Sequence, residues 1–237
     1  MPRPQRRLQT EACQNAGVVR VNKADAPTAI GPEAYASWRA TPLGAITEGI
    51  EQRLILDLMG DLAGRRVLDA GCGDGALICA AASRGAAATG IDPDPAMLAA
   101  VRSRVGGAAC GAKFVQGRLE QLPFREASFD LVAAITVLCF VPDAGGAVRE
   151  MARVLRPGGR LVLGELGRWS WWAAIRRVRG WLGSSTWAAA RFRTGAELKS
   201  LVRQAELSIT ATRGRVYYHR LACLPAPCYL SIPGSAG

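Results

Sequence analysis

The sequence predicts a doubly wound α/β sandwich, and three observations predict it. From residue 65 onward, short apolar runs alternate with segments of helical length: strands are expected at 65–70, 87–92, 113–116, 129–135 and 160–166. The first run, Val67-Leu68-Asp69-Ala70, passes straight into Gly71-Cys72-Gly73-Asp74-Gly75, which suits a buried strand turning sharply into a helix. Pro157-Gly158-Gly159 reads as a helix stop and a tight turn before the fifth run. Alternation of this length implies a parallel sheet with helices on both faces.

The elements follow in order. Residues 1–30 mix Pro, Asn, Gln and charges without a period and are expected to be a poorly ordered extension. In 31–64, Tyr35, Trp38, Ile46, Ile50, Leu54 and Leu58 include a helical spacing, so two helices should cap the sheet. The core spans 65–237, with helices at 75–84, 95–105, 144–155 and 195–204. A segment at about 167–193 interleaves five Trp with Arg and reads as an insertion after the fifth strand. A hairpin is expected at 207–213 and 216–222, turning at Arg213-Gly214-Arg215.

The glycine loop is where function begins to show. Glycines let the backbone turn and let a ligand lie against it. The helix that follows offers unpaired N–H groups to a polar or anionic moiety. Gly71-x-Gly73-x-x-Ala76, with Asp92 downstream, also fits the loose dinucleotide pattern of NAD enzymes. Asp69 before the first glycine and the third glycine at 75 pull away from that pattern.

The form D-x-G-x-G-x-G resembles motif I of the class I S-adenosylmethionine (SAM) methyltransferases, and the likeness continues along the chain. Gly90-Ile91-Asp92-Pro93-Asp94 is similar to the end of that family's second strand. Gln116-Gly117-Arg118-Leu119-Glu120 is similar to its adenine-side loop, and Ser128-Phe129-Asp130-Leu131-Val132 to its fourth strand. Glu150 to Leu161, through Arg156-Pro157-Gly158-Gly159, resembles the helix, turn and fifth strand of the UbiE-like subgroup (methyltransferase type 11).

The resemblance implies a Rossmann-like three-layer fold with a seven-stranded, mostly parallel sheet closed by an antiparallel hairpin. It implies SAM as methyl donor and S-adenosylhomocysteine (SAH) as product. Asp69, Gly71, Cys72, Gly73 and Gly75 would meet the methionine end. Asp92 would accept from both ribose hydroxyls, a task suited to its two acceptor oxygens. Pro93 and Met97 would lie against adenine, the Leu119 N–H would read the ring, and Ile135 would pass the amino end through its backbone. Tyr35 and Trp38 resemble a cap that closes over SAM.

The chain departs from the pattern at two positions. Arg118 stands where the subgroup has an Asp, and Arg has no acceptor for the adenine amino group. That hydrogen bond is then missing or is supplied by a backbone carbonyl or by Glu120, and stacking on the ring is the alternative role for Arg118. Cys139 stands where His or Glu is frequent. Transfer from a sulfonium needs alignment and desolvation first, and a base only when the acceptor must lose a proton. Glu165, at the end of the fifth strand, is the best-placed candidate base, ahead of Tyr217 and His219.

Bulk properties narrow the rest. At 237 residues with 49% apolar content, the chain suits one domain with an ample core. No apolar run reaches the ~18 residues of a membrane span. The basic start Met1-Pro-Arg-Pro-Gln-Arg-Arg has no apolar segment behind it and does not read as a secretion signal. Seven irregularly spaced cysteines and one histidine argue against a metal site and for a reducing cytoplasmic compartment.

A net charge of +11 invites an RNA or protein substrate, but no RNA-binding module is visible. A small or medium hydrophobic acceptor is therefore preferred. Trp171, Ile175, Val178 and Leu182 fall on one helical face beside Arg176 and Arg179. That segment reads as a lid over the acceptor, as a peripheral contact with an anionic membrane, or as ordinary packing. An NAD-dependent oxidoreductase and a SAM-binding protein without catalysis remain the other readings. The oligomeric state is not legible.

Overall fold

The computed structural model describes residues 31–104, 111–214 and 228–233. The extension at 1–30 and the expected strand at 216–222, with Tyr217 and His219, lie outside the described residues. Two helices lead in, α1 (Pro32–Arg39) and α2 (Pro42–Met59). The alternating part runs β1 (Arg66–Ala70), α3 (Ala76–Ala82), β2 (Ala87–Asp92), α4 (Pro95–Arg104), β3 (Lys113–Gln116) and β4 (Phe129–Ile135). A 3-10 turn at Leu138–Phe140 precedes α5 (Ala144–Val154) and β5 (Leu155–Glu165). Then come α6 (Trp171–Trp181), α7 (Ser185–Ala188), α8 (Gly195–Gln204), β6 (Ala211–Gly214) and β7 (Cys228–Pro233).

The strands form one sheet in the order β3-β2-β1-β4-β5-β7-β6. The first five are parallel, and β7 pairs antiparallel with both β5 and β6. β1 and β4 are neighbours whose onward connections lead to opposite sides of the sheet. Such a reversal leaves a crevice at the carboxyl ends of the strands.

Strand periodicity builds the layers. Leu68, Ala70, Val132, Ala134, Leu161 and Leu163 point to one face and pack with Val148 and Met151 of α5 and Leu198 and Val202 of α8. The intervening residues Val67, Leu131, Ala133 and Val162 point to the other face and pack with Leu54, Ile55 and Leu58 of α2 and Ile78 of α3. Successive strand side chains face opposite ways, so two apolar helical layers need near-continuous apolar strands.

Caps set the helix ends. Thr41 Oγ1 accepts from Gly44 N before Pro42 opens α2, and Asp143 accepts from Gly146 N at α5. Thr194 and Glu197 form a reciprocal capping box at α8. Arg160 Nη1 donates to the carbonyls of Leu58 and Met59, tying β5 to the last turn of α2.

Two expectations are corrected. β5 begins at Leu155, directly after α5, so Pro157-Gly158-Gly159 lies within the strand rather than before it. Its pairing with β4 jumps from Phe129–Leu155 to Leu131–Arg160, so the three residues form an irregular stretch between paired ends. The strand expected at 207–213 is confined to Ala211–Gly214, so Arg213 and Gly214 are strand residues and not a turn. Its partner in the sheet is β7, a strand the apolar pattern did not reveal.

Arg153 of α5 fixes the loop that follows β3. It pairs with Glu150 at 2.7 Å and donates to the carbonyls of Phe124 and Leu122, while Glu150 accepts from Leu122 N. Arg153→Ala leaves two half-buried carbonyls and one carboxylate without these bonds. It should cost about 1–3 kcal/mol of stability by denaturant titration, and no change would mean the loop holds itself.

Candidate functional site

The crevice between β1 and β4 is floored by the glycine loop. Gly71 N and Cys72 N both donate to Ile91 O, at 2.8 and 3.0 Å, so the exit of β1 is held against the end of β2. Gly75 N returns to Cys72 O at 2.8 Å and closes the turn. Gly71, Gly73 and Gly75 have φ of +85°, +49° and +77°, a region where side chains are strained.

Their surroundings differ. A Cβ on Gly71 would fall 2.3 Å from Val137 Cγ2, and one on Gly75 would fall 2.9 Å from Val101 Cγ1. A Cβ on Gly73 would meet nothing within 4 Å, so its outer side faces open space. Gly71 and Gly75 are therefore required by packing as well as by φ, whereas Gly73 presents bare backbone. Cys72 turns inward: a Cβ on Gly90 would lie 2.8 Å from its Sγ. Cys72 offers the site its backbone only.

Three acids gather at this loop. Asp69 is 3% exposed, and burial pushes its carboxyl up to about 7, with the charges of Asp92 and Asp74 adding. Asp92 is also buried and raised by burial. It is partly compensated by Asp94 N and Gly73 N, which donate to its Oδ1 and Oδ2 at 2.9 Å. Each oxygen keeps a further acceptor site, as two adjacent hydroxyls require.

The sign of this field discriminates between ligands. A pyrophosphate brought against the carboxylates of Asp69 and Asp92 meets like charge, whereas a sulfonium with an α-ammonium meets opposite charge. Bare backbone at Gly73 and buried carboxylates at Asp69 and Asp92 fit SAM.

The rim residues sort by exposure. Pro93 is exposed and Met97 is buried, both beside Asp92. Arg118 is half-buried and pairs with Glu120 at 3.2 Å. Leu119 sends its side chain into the core. Ile135 is half-buried at the end of β4. Thr136, the next residue, holds φ +53° and donates its N–H to Gly164 O at 2.6 Å. A β-branched residue in that region is unusual, and here it turns the chain out of the sheet into the 3-10 turn.

The N-terminal helices reach the same loop. Tyr35 and Trp38 stack at 5.8 Å, and Arg39 lies 4.7 Å over the Tyr35 ring. Arg39 then pairs with Glu48 of α2 and with Asp74 inside the glycine loop. The cap is thus tied to the loop by a charged bridge spanning 35 positions. Sequence reasoning passed over Arg39 and treated Asp74 only as a turn residue. The one available signal was an acid between two loop glycines.

Beyond β4, Glu165 is 1% exposed, so the strand-end carboxylate is a core group and not a solvated one. Its Oε1 accepts from Leu138 N at 2.8 Å, and the Cys139 N–H and thiol also face the carboxylate. Burial raises its carboxyl to about 7, against the pull of the Leu138 N–H and of Arg193. Arg193 in turn donates to Leu138 O at 2.7 Å, and Arg191 N donates to Cys139 O at 2.7 Å. The 3-10 turn is therefore held from below by Glu165 and stitched to the end of the Trp/Arg segment. Cys139 is buried with Ala173 and Phe192, against Phe140, Leu166 and Trp187. Among the described residues, no group of His, Cys, Asp and Glu is arranged to hold a metal.

Comparison with known proteins agrees with this geometry. Residues 68–163 match the family model described as a methyltransferase domain. The chain is 33% identical over 171 residues to the ubiquinone biosynthesis O-methyltransferase of Alkalilimnicola ehrlichii, covering 69% of this chain and 68% of that one. The enzyme of the same name from Paracidovorax citrulli is 34% identical over 172 residues, covering 68% and 71%. Among solved structures, a SAM-dependent methyltransferase from Methanosarcina mazei superposes with a TM-score of 0.63 at 22% identity, covering 78% of this chain and 98% of that one. Magnesium protoporphyrin IX methyltransferase from Synechocystis with bound SAH gives 0.64 at 19% identity, covering 87% and 96%. An acidic glycine loop at the switch point, a matching family model and a third of identity across two thirds of a relative's length converge, and the chain belongs to the class I SAM-dependent methyltransferases of the UbiE-like kind.

Proposed function

We propose that this methyltransferase places a methyl group on a hydroxyl of a small or medium hydrophobic molecule and releases SAH. The observation that carries the acceptor class is the wall beyond β4, where Cys139, Ala173 and Phe192 are buried against Phe140, Leu166 and Trp187. The relatives' printed activity, O-methylation in ubiquinone biosynthesis, supports oxygen as the methylated atom.

SAM, when bound, supplies an electrophilic methyl on a good leaving group. The chain supplies position and field. Asp69 faces the ammonium, with the backbone of Gly71, Cys72 and Gly73 along the methionine end. Asp92 takes the ribose. Pro93, Met97 and the Leu119 N–H border adenine, with Arg118 at its edge and Ile135 at the amino end. Tyr35 and Trp38 cover the site through the Arg39–Asp74 bridge. Closure of this kind desolvates the reacting groups and strengthens each charge interaction inside.

A hydroxyl acceptor must lose its proton, and Glu165 is the proposed base. It is buried at the end of β5 beside Cys139, and its raised carboxyl is matched to neutral pH. A second reading concerns location. Val178 and Trp181 of α6 and Leu182 at its C-cap are 53%, 94% and 81% exposed and fall on one side, flanked by the exposed Arg177 and Arg179. We propose that this face rests on anionic phospholipid, from which a hydrophobic acceptor is drawn.

Asp92→Ala should weaken SAH binding at least tenfold, about 1.4 kcal/mol, in a calorimetric titration. Retained affinity would remove Asp92 from the ribose site. With methyl-labelled SAM and a panel of hydroxylated apolar acceptors, label should move to acceptor, with a rate that rises as pH rises through about 7 because the ionised Glu165 is the base. Glu165→Gln should lower that rate by about 10²–10⁴ and flatten its pH profile while SAH still binds. A variant with the wild-type profile would reduce Glu165 to support of the 3-10 turn. In sedimentation with vesicles, the protein should pellet with phosphatidylglycerol and not with phosphatidylcholine, and Trp181→Ala with Leu182→Ser should release it; equal recovery in both supernatants would sink the membrane reading.

A further inference from the structure

One cation near the acceptor wall is not used by any step above. Arg176 of α6 lies with its guanidinium carbon 4.9 Å from the Trp172 ring centroid and 4.7 Å from that of Trp187. Two indoles thus bracket the planar group, and cation–π contact fixes its orientation. Among the described residues, Nη1 donates to Trp172 O at 3.4 Å and Nε is buried without a hydrogen bond. Burial and Arg179 disfavour the charge, while Cys139, Glu51 and Tyr35 act the other way, so all three lie within electrostatic range. Through Trp187, which packs against Phe140 and Phe192, the guanidinium borders the wall beyond β4. An N–H donor buried and unpaired is unfavourable unless a ligand supplies the acceptor.

We propose that Arg176 is a specificity-determining residue that takes a carboxylate on the methyl acceptor along its Nε–Nη2 edge. The inference rests on the reading above that this wall faces the acceptor, and it narrows that reading to an amphiphilic acid with a hydroxylated apolar body. The chemistry follows from the geometry. The edge of a held guanidinium offers two parallel donors, which match the two oxygens of a carboxylate. A neutral acceptor of the same shape leaves Nε unpaired and is rejected for that reason. A lysine would present a point charge without the fork.

Trp172 and Trp187 report on the site directly. Quenching of tryptophan emission is measured in the full-length, SAH-loaded protein with 3,4-dihydroxybenzoate and with its methyl ester. SAH affinity is read on the same protein, and methyl transfer on parallel samples loaded with SAM instead of SAH. The wild type should bind the acid at least tenfold more tightly than the ester. Arg176→Gln should bring the two within about twofold, Arg176→Lys should restore only part of the preference, and SAH affinity should stay within about twofold of wild type. A wild type that binds the acid no better than the ester, including one quenched by neither, overturns the proposal. So does an Arg176→Gln variant that keeps the preference. Loss of SAH binding in the wild type would instead remove the methyltransferase site on which the proposal rests.

Discussion

Burial of Asp69 and Asp92 at the ends of neighbouring strands is the constraint around which the site is arranged. Ionising Asp69 is made costly by its burial and by the charges of Asp92 and Asp74. Such a cost is tolerated in a folded chain when a ligand of opposite sign relieves it. The loop geometry serves that arrangement. Two N–H groups converge on Ile91 O and leave the outer side of Gly73 bare, so a cationic ligand can approach backbone and carboxylates together. A chain of net charge +11 that collects three acids at one loop has segregated its charge by function.

The same loop couples the parts that surround it. Asp74 pairs with Arg39, which lies over Tyr35 and holds Glu48, so the cap and the loop share one charged bridge. On the far side, Thr136 turns the chain out of β4, Glu165 holds the next turn from beneath, and Arg193 and Arg191 bind it from the end of the Trp/Arg segment. The residues that tie these parts together sit at or near the ends of β1, β4 and β5.

Much of this was legible because the determinants are local. Alternation of apolar runs located the five parallel strands, since each must be apolar on both faces to serve two helical layers. The loop was legible because positive φ demands glycine, and Asp69 and Asp92 because they end strands beside it. The misses involve contacts distant in sequence. No pattern links Arg39 to Asp74 or places Arg176 between Trp172 and Trp187. Burial of Glu165 follows from the Trp/Arg segment folding back over the 3-10 turn, which its own sequence does not announce. β5 began early because pairing with β4 resumes on either side of Pro157-Gly158-Gly159. β7 was hidden because Cys228–Pro233 is a six-residue run crowded by Pro225, Pro227 and Pro233-Gly234, which read as loop.

Ligand-dependent thermal unfolding tests the central claim, that the acidic glycine loop selects a cationic adenosyl ligand over a pyrophosphate. The full-length protein is heated with SAM, SAH or NAD at equal concentration. SAM and SAH should each raise the midpoint in a concentration-dependent way, and NAD should leave it unchanged. Stabilisation by NAD, or no response to either SAM or SAH, would contradict the assignment of the loop.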